Sequence, residues 1–516
     1  MASRAGTVNP PQKVKFHSLA GVSLVDTLDL RNPKFVTAEE AHRQLNYIDG
    51  YVRDPALGCK TVVVEEHYID RDHMEDHSVF YSKSLYPYPN FCCRVHFFSL
   101  GIEELRKEIR RVRNSRATGG EETFRRECAE FSKQHYIGFT VIKPLPGCPV
   151  GRTVLRCLPE ESGKGHIRKF HCTFDYDPHL LGLRLTVKGL AFQQQDLGVS
   201  ACATTALWTS LQRAQELEHN ATATPAQITI RASQFALPFG RPMPSEGLSL
   251  GQMCQAVQSL GYSPSLQRAE SFEFTRGILF SSISSGISPV LILEQPGTEI
   301  SHAVAAAGRA VAEPAGSSGS SGIRHRSADL TAIYVHDDRN GPYLKATIRK
   351  HKEELLIHFE LPGGKQETWT LSHLLIPLHS KIRLSFAQLY TAGLGIVSKA
   401  QSFAMAQARV TSPSRNQVTT LWKSRIFRST SYMESLLREA GGAGIVERLC
   451  TSVRLSRYIG VIRILAPGLD TLDVLLDTTS TERNLNCLAV LQFGNSESTA
   501  DLCRFMAEYY GGRFVS

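Results

Sequence analysis

The sequence lacks the marks of several protein classes. No uninterrupted apolar run approaches the roughly 18 residues that a membrane-spanning helix requires. The opening Met-Ala-Ser-Arg-Ala-Gly-Thr-Val-Asn-Pro-Pro has no apolar core of the kind a secretory signal carries. The twelve cysteines between Cys59 and Cys503 include no Cys-x-x-Cys pair, which excludes a zinc ribbon and a thioredoxin-type redox motif. The adjacent Cys92 and Cys93 are poorly placed to bridge each other. No internal repeat is present. Together these absences predict a soluble cytoplasmic protein without membrane contact, its cysteines mostly reduced and packed as small hydrophobes.

What is present is ordinary globular material. The 516 residues are 42% hydrophobic and 21% charged, which excludes wholesale disorder and suggests about three domains. The 58 lysines and arginines exceed the 49 acidic residues by only nine. The densest basic stretch, Leu105 to Arg116, carries Leu105, Ile109 and Val112 at helical spacing. It reads as a solvated helix face rather than a nucleic-acid footprint.

Three regions follow from the pattern of runs and breaks. Residues 1–185 mix β-rich runs (Thr61-Val-Val-Val-Glu-Glu, Cys93-Arg-Val-His-Phe-Phe, Tyr136-Ile-Gly-Phe-Thr-Val-Ile) with helices over Ile102 to about Arg113 and Glu122 to about Gln134. Within them His67, His73 and His77 stand in a charged run, His73 and His77 one helical turn apart, with no firm third metal ligand. They read as solvated histidines. Residues 186–385 hold a helix after Ala201, another around Leu248–Leu260, and short strands near Pro289–Leu293, His302–Ala307 and Ala332–His336. A Gly/Ser stretch from Ala312 to Gly322 interrupts these strands as a surface loop. Residues 386–516 begin helical, continue with strands at Tyr458, Leu472 and Cys487, and end in a helix closed by Gly511. They carry no catalytic signature. The expected class is α+β throughout.

The chemistry concentrates in the middle region. After Cys202 the apolar positions Ala203, Ala206, Leu207, Leu211, Ala214 and Leu217 recur at three and four, which marks a helix burying one face. Asp196, Gly198 and Ser200 are the turn and cap residues before it. Cys202 therefore falls in the first turn, where unpaired backbone N–H groups and the helix dipole favour a thiolate. Ser301-His302-Ala-Val begins an apolar strand, and a cysteine nucleophile needs a base that is usually distant in sequence. Ala332-Ile-Tyr-Val-His-Asp337-Asp338-Arg-Asn-Gly runs from a strand into an acidic turn. Either aspartate there is able to orient the second nitrogen of His302.

In this order the segments resemble the papain-like cysteine peptidases, most closely their bacterial double-glycine leader-peptidase-like branch. The matching features are Gln-x6-Cys-Ala-Thr-Thr-Ala-Leu, Gly286-Ile-Ser-Pro-Val-Leu-Ile, Ser-His-Ala-Val-x3-Gly, and Val-His-Asp before a glycine-containing turn. The resemblance covers roughly 190–345, under a third of the chain. It implies a papain-like central domain, with the nucleophile helix packed on a small antiparallel sheet between α+β flanking regions. It also implies Cys202 as nucleophile, His302 as general base and then acid, and Asp337 as orienting carboxylate. Gln195 would complete an oxyanion hole with the Cys202 N–H. Ala203-Thr204 stands where the family more often has Gly-Pro. Gln195 lies one position further from the cysteine than usual, which leaves Gln193 and Gln194 as candidates, and Asp338 stands where the family tends to have proline.

The expected activity is cleavage of a peptide or isopeptide bond through an acyl-enzyme, with a protein or peptide as substrate and no metal or cofactor. An acyltransferase with the same triad, or a non-catalytic binding module on a papain-like scaffold, is the alternative. The sequence says nothing of oligomeric state.

Overall fold

The first sheet grows from the β-branched runs seen in the sequence. The structure is a computed structural model describing residues 13–28, 42–145, 147–160, 166–196, 198, 201–235, 247–312, 322–411, 419–439, 441–481 and 486–516. In sheet order the antiparallel strands are β1 (Val14–Ser18), β2 (Thr61–Tyr68), β3 (Cys92–Phe98), β4 (Tyr136–Ile142) and β5 (Val150–Leu155). Every residue of β4 is buried, which explains its unbroken apolar character. Four helices accompany the sheet: α1 (Leu24–Thr27), α2 (Arg43–Val52), α3 (Arg71–Val79) and α4 (Ile102–His135).

The element α4 contains both helices expected there, broken at Gly120, whose φ of +72° a residue with a side chain rarely adopts. The second half folds back so that Arg111 donates to Glu127 at 2.7 Å. Leu105, Ile109 and Val112 are buried, and the basic stretch is the outward face of this hairpin.

Next come β6 (His166–Lys169) and two small ribbons, β7 (Phe174–Tyr176) with β10 (Val187–Gly189) and β8 (His179–Leu180) with β9 (Leu183–Arg184). The central unit contains β11 (Tyr262–Arg268), β12 (Val290–Glu294), β13 (Ser301–Ala312), β15 (Leu330–Asp337), β16 (Gly341–His351), β17 (Glu354–Glu360) and β18 (Gln366–His379). Strands β12, β13, β15, β16 and β17 pair in succession. The long β18 pairs with both β17 and β12, so six antiparallel strands close into a barrel. Closure removes the free edges that an open sheet leaves exposed. β11 adds to β18 and β6 to β13.

Around the barrel lie α5 (Cys202–Leu217), α6 (Pro225–Ala232), α7 (Leu250–Ser259) and α8 (Phe272–Ser284). Reciprocal capping boxes, Thr224 with Gln227 and Ser249 with Gln252, start α6 and α7.

The third sheet has the order β14 (Gly322–His325), β19 (Thr419–Arg428), β20 (Tyr458–Leu465), β21 (Thr471–Asp477), β22 (Cys487–Phe493) and β23 (Arg513–Val515). It carries α9 (Phe386–Thr411), α10 (Ser429–Leu436), α11 (Gly442–Ser452) and α12 (Glu497–Tyr510), the last ending on Gly511 in the left-handed region as expected. No helix among the described residues is long and apolar enough to cross a membrane.

The class is mixed α and β, as the sequence indicates, but the organisation differs from three successive units. β6, from the first region, pairs with the barrel strand β13 across the 185/186 division. β14, from the middle region, pairs in parallel with β19 across the 385/386 division. One continuous core runs from Leu19 through Leu293 and Val304 to Met506. The barrel strands were expected as a small antiparallel sheet. Short apolar runs show β12, β13 and β15, but β16, β17 and β18 were not among the expected strands, and closure depends on the long β18 reaching two partners at once. The Gly/Ser stretch lies outside the described residues for 313–321.

Candidate active site

The amphipathic pattern after Ala201 produces α5, with Cys202 as its first residue. Ala201 is the N-cap and makes no side-chain capping bond, so the first-turn N–H groups are not occupied by a cap side chain. Of the residues expected to form the turn and cap, Asp196 and Gly198 make a turn and do not cap the helix; Ser200 lies outside the described residues. Asp196 instead receives Lys143 Nζ at 3.4 Å and accepts from the Gly198 N–H at 3.0 Å. A Cβ at Gly198 would meet the Tyr81 ring at 3.1 Å. The approach to Cys202 is thus fixed by a buried ion pair and by a ring from the first region, not by a cap.

His302 is the second residue of β13, and Asp337 ends the neighbouring strand β15. The His302 Nε2 donates to Asp337 Oδ1 at 2.9 Å, with both side chains buried. The Cys202 thiol is among the groups that raise this imidazole, so it lies beside the ring, and with Nε2 on Asp337 the nitrogen left for the thiol is Nδ1. Three side chains from three elements therefore meet around one ring.

The turn after β15 holds the carboxylate. Asn340 Nδ2 donates to Asp337 Oδ2 at 2.7 Å and the Arg339 N–H to Oδ1 at 3.0 Å. From α2, Gln44 Nε2 donates to the carbonyls of Asp338 and Arg339 at 2.9 and 3.0 Å, which pins the turn from outside. Trp369 on β18 lies 5.8 Å from the His302 ring, centroid to centroid, and Arg339 stacks over it. Asn340 stands inside the Asp-Asp-Arg-Asn-Gly turn motif, where Asx chemistry signals a carboxylate or amide bonding to nearby backbone. Gln44 and Trp369 had no signal, because their role depends on closure of the barrel and on the first sheet.

Geometry separates the two aspartates. Asp338 Oδ1 lies 3.7 Å from His302 Nε2, beyond hydrogen-bond reach, and Asp338 Oδ2 is buried without a partner. Burial is the largest influence on Asp338; with the nearby Asp337 charge it outweighs His302 and raises the carboxyl to about 7. Burial acts the same way on Asp337, but His302, Asn340 and the Arg339 N–H together hold it below the usual carboxylate range. For His302, burial disfavours the charged form. The charge and hydrogen bond of Asp337, the thiol and Asp338 more than offset this, so the imidazole is raised well above its ordinary value.

Among the glutamines, Gln194 accepts from the Val150 N–H and donates to the Gly147 carbonyl, both at 3.2 Å, so it serves the fold of that loop. Gln193 has a buried Nε2 without a hydrogen-bond partner. Gln195 is half-buried and makes no hydrogen bond to another described residue. His302, Asp337 and Asp338 are close enough to share a cation. However, the imidazole N–H and the turn N–H groups already occupy Asp337, so the set serves the ring.

All twelve cysteines are free, and burial pushes the thiols of Cys59, Cys157, Cys172, Cys487 and Cys503 up to about 12. His73 and His77 place their Nε2 atoms 3.0 Å from the carbonyls of Pro89 and Tyr88, which is structural bonding and not ligation. No known family model matches this chain, and no curated protein resembles it in sequence.

Proposed function

We propose that the protein is a papain-like cysteine hydrolase that cuts a peptide or isopeptide bond. The observation that carries this reading is the single imidazole bonded to Asp337, with the Cys202 thiol, at an uncapped helix start, beside it. With Nε2–H fixed on the carboxylate, Nδ1 is available to take the thiol proton. The sulfur attacks the carbonyl carbon, and the developing oxyanion is met by first-turn N–H groups and a glutamine amide from Gln195 or Gln193. The imidazolium then gives its proton to the leaving amine, which departs as the tetrahedral intermediate collapses to the thioester. Water, deprotonated by the same ring, releases the acid and restores the thiol.

Peptide mapping after brief iodoacetamide treatment of the native protein tests this. Cys202 is expected to be alkylated ahead of the buried cysteines and of the exposed Cys450. Cys202→Ala is expected to abolish peptide turnover with the melting temperature nearly unchanged. A thiol at position 202 no more reactive than the rest, or full activity in the alanine variant, overturns the proposal. Adding an amine acceptor to the assay separates hydrolysis from acyl transfer.

A further inference from the structure

A second site lies towards the other end of α5, where Arg213 stands about 16 Å along the helix from Cys202 at 1.5 Å per residue. There α5, the end of α8, β18 and β19 enclose an open-mouthed cavity of about 210 Å³. Its wall includes Arg213, Arg425, Arg428, His171, Tyr262 and Phe427. The Nε atoms of Arg213 and Arg425 and the Nε2 of His171 are all buried without a hydrogen-bond partner. Neither Arg213 nor Arg425 forms an ion pair with another described residue. Arg309 adds a further cation behind the wall, its Nε donating to the wall residue Ser284 at 2.8 Å.

The nearby carboxylates do not neutralise this group. Glu218, on the cavity wall, is engaged by Arg457 at 2.6 Å, by His379 at 3.3 Å and by the Tyr458 hydroxyl. Asp473 is held by Arg463 and Tyr432. Glu216 and Asp175 lie near Arg213 without pairing to it. Crowding shows in the titration of the cluster: burial first, then Arg463, brings Arg425 down to about 10, and burial with Arg309 and Arg425 brings His171 down to about 3.

Half-buried guanidinium groups left without acceptors are costly unless an anion completes them. We infer that this cavity binds a small phosphate-bearing ligand, with Arg213 and Arg425 as the anion clamp. Guanidinium forks match phosphate oxygens two at a time. Phe427, half-buried and already stacked under Arg425 at 4.1 Å, is the aromatic face available to a planar ring attached to the phosphate. The volume lies below the roughly 300 Å³ lower end of drug-sized sites, which favours a compact ligand over a polymer.

The test is calorimetric titration of the full chain with inorganic phosphate and with adenosine monophosphate, at constant ionic strength set with chloride so that screening is equal. Both Arg213→Gln and Arg425→Gln are expected to weaken phosphate binding at least tenfold. Without phosphate, Arg425→Gln is expected to melt no lower than the parent, because relief of like-charge repulsion and burial outweighs the lost stacking on Phe427 and no ion pair is broken. Tighter binding of the nucleotide than of phosphate assigns the ring-bearing ligand, and equal binding assigns free phosphate. Absence of binding by the parent protein, or undiminished binding by both folded variants, overturns the site. Neither result depends on Cys202 chemistry.

Discussion

At the scale of single residues, one ring decides most of the behaviour. Asp337→Asn keeps the shape of the turn but replaces a carboxylate acceptor with an amide, so the imidazole loses both its fixed tautomer and its stabilising charge. We expect the alkylation rate of Cys202 and peptide turnover to fall by about 10²–10⁴, the range typical for loss of an orienting carboxylate. Asp338→Asn should change either by less than tenfold, because its nearer oxygen stands 3.7 Å away. Equal damage from the two substitutions would contradict the assignment.

Asp338 has its own signature in stability. Unfolded, it ionises at an ordinary carboxylate value near 3.8, and folded near 7. Between those values the unfolded chain holds fewer protons at this position, so the native state loses stability as pH rises through the window. Asp338→Asn should therefore melt like the parent at pH 4 and several degrees higher at pH 8. A constant difference across that range would mean that the carboxylate is not buried as described.

At the scale of elements, the sequence revealed those that carry a strong period or a run of β-branched residues, including α5, α7, β4 and β20. It gave little sign of α8, which buries ten of its thirteen residues and so has no polar face to set against an apolar one. The site was legible to the same degree. A cysteine opening a helix, a histidine opening a strand and an aspartate ending the next are local features. The glutamine was not resolved by position alone: Gln193 to Gln195 are three equal amides until the backbone bonds of Gln194 are seen.

The support given by α2 was not legible at all. A Cβ on Gly341 would come within 2.2 Å of the Tyr47 ring, so α2 rests directly against the turn that holds Asp337. Gly341→Ala should cost about 1–3 kcal/mol through overpacking. It should also slow alkylation of Cys202, as measured by denaturant melts and by labelling rates. Loss of stability without any change in labelling would show that the contact does not reach the turn.

At the scale of the whole molecule, the site depends on parts far from it in sequence. Gln44 and Lys143 belong to the first region, as does the strand β6 that extends the barrel. A fragment beginning at residue 186 removes all three and exposes the core shared with the first sheet. It should not fold cooperatively, as judged by circular dichroism on heating, whereas the full chain should. A fragment with a sharp transition and a reactive Cys202 would show that the central barrel is autonomous.

The excursion of β14 has a consequence for how the protein opens. Between the strand that begins at Ser301 and the one that ends at Asp337, the chain leaves the barrel to lie alongside β19. Base and carboxylate are therefore joined through a stitch in the neighbouring sheet. Loosening that sheet pulls on both, so the two layers are expected to exchange their amide hydrogens as one cooperative unit. A ligand that tightens the C-terminal half would then slow deuterium uptake at the acid–base pair as well as where it binds.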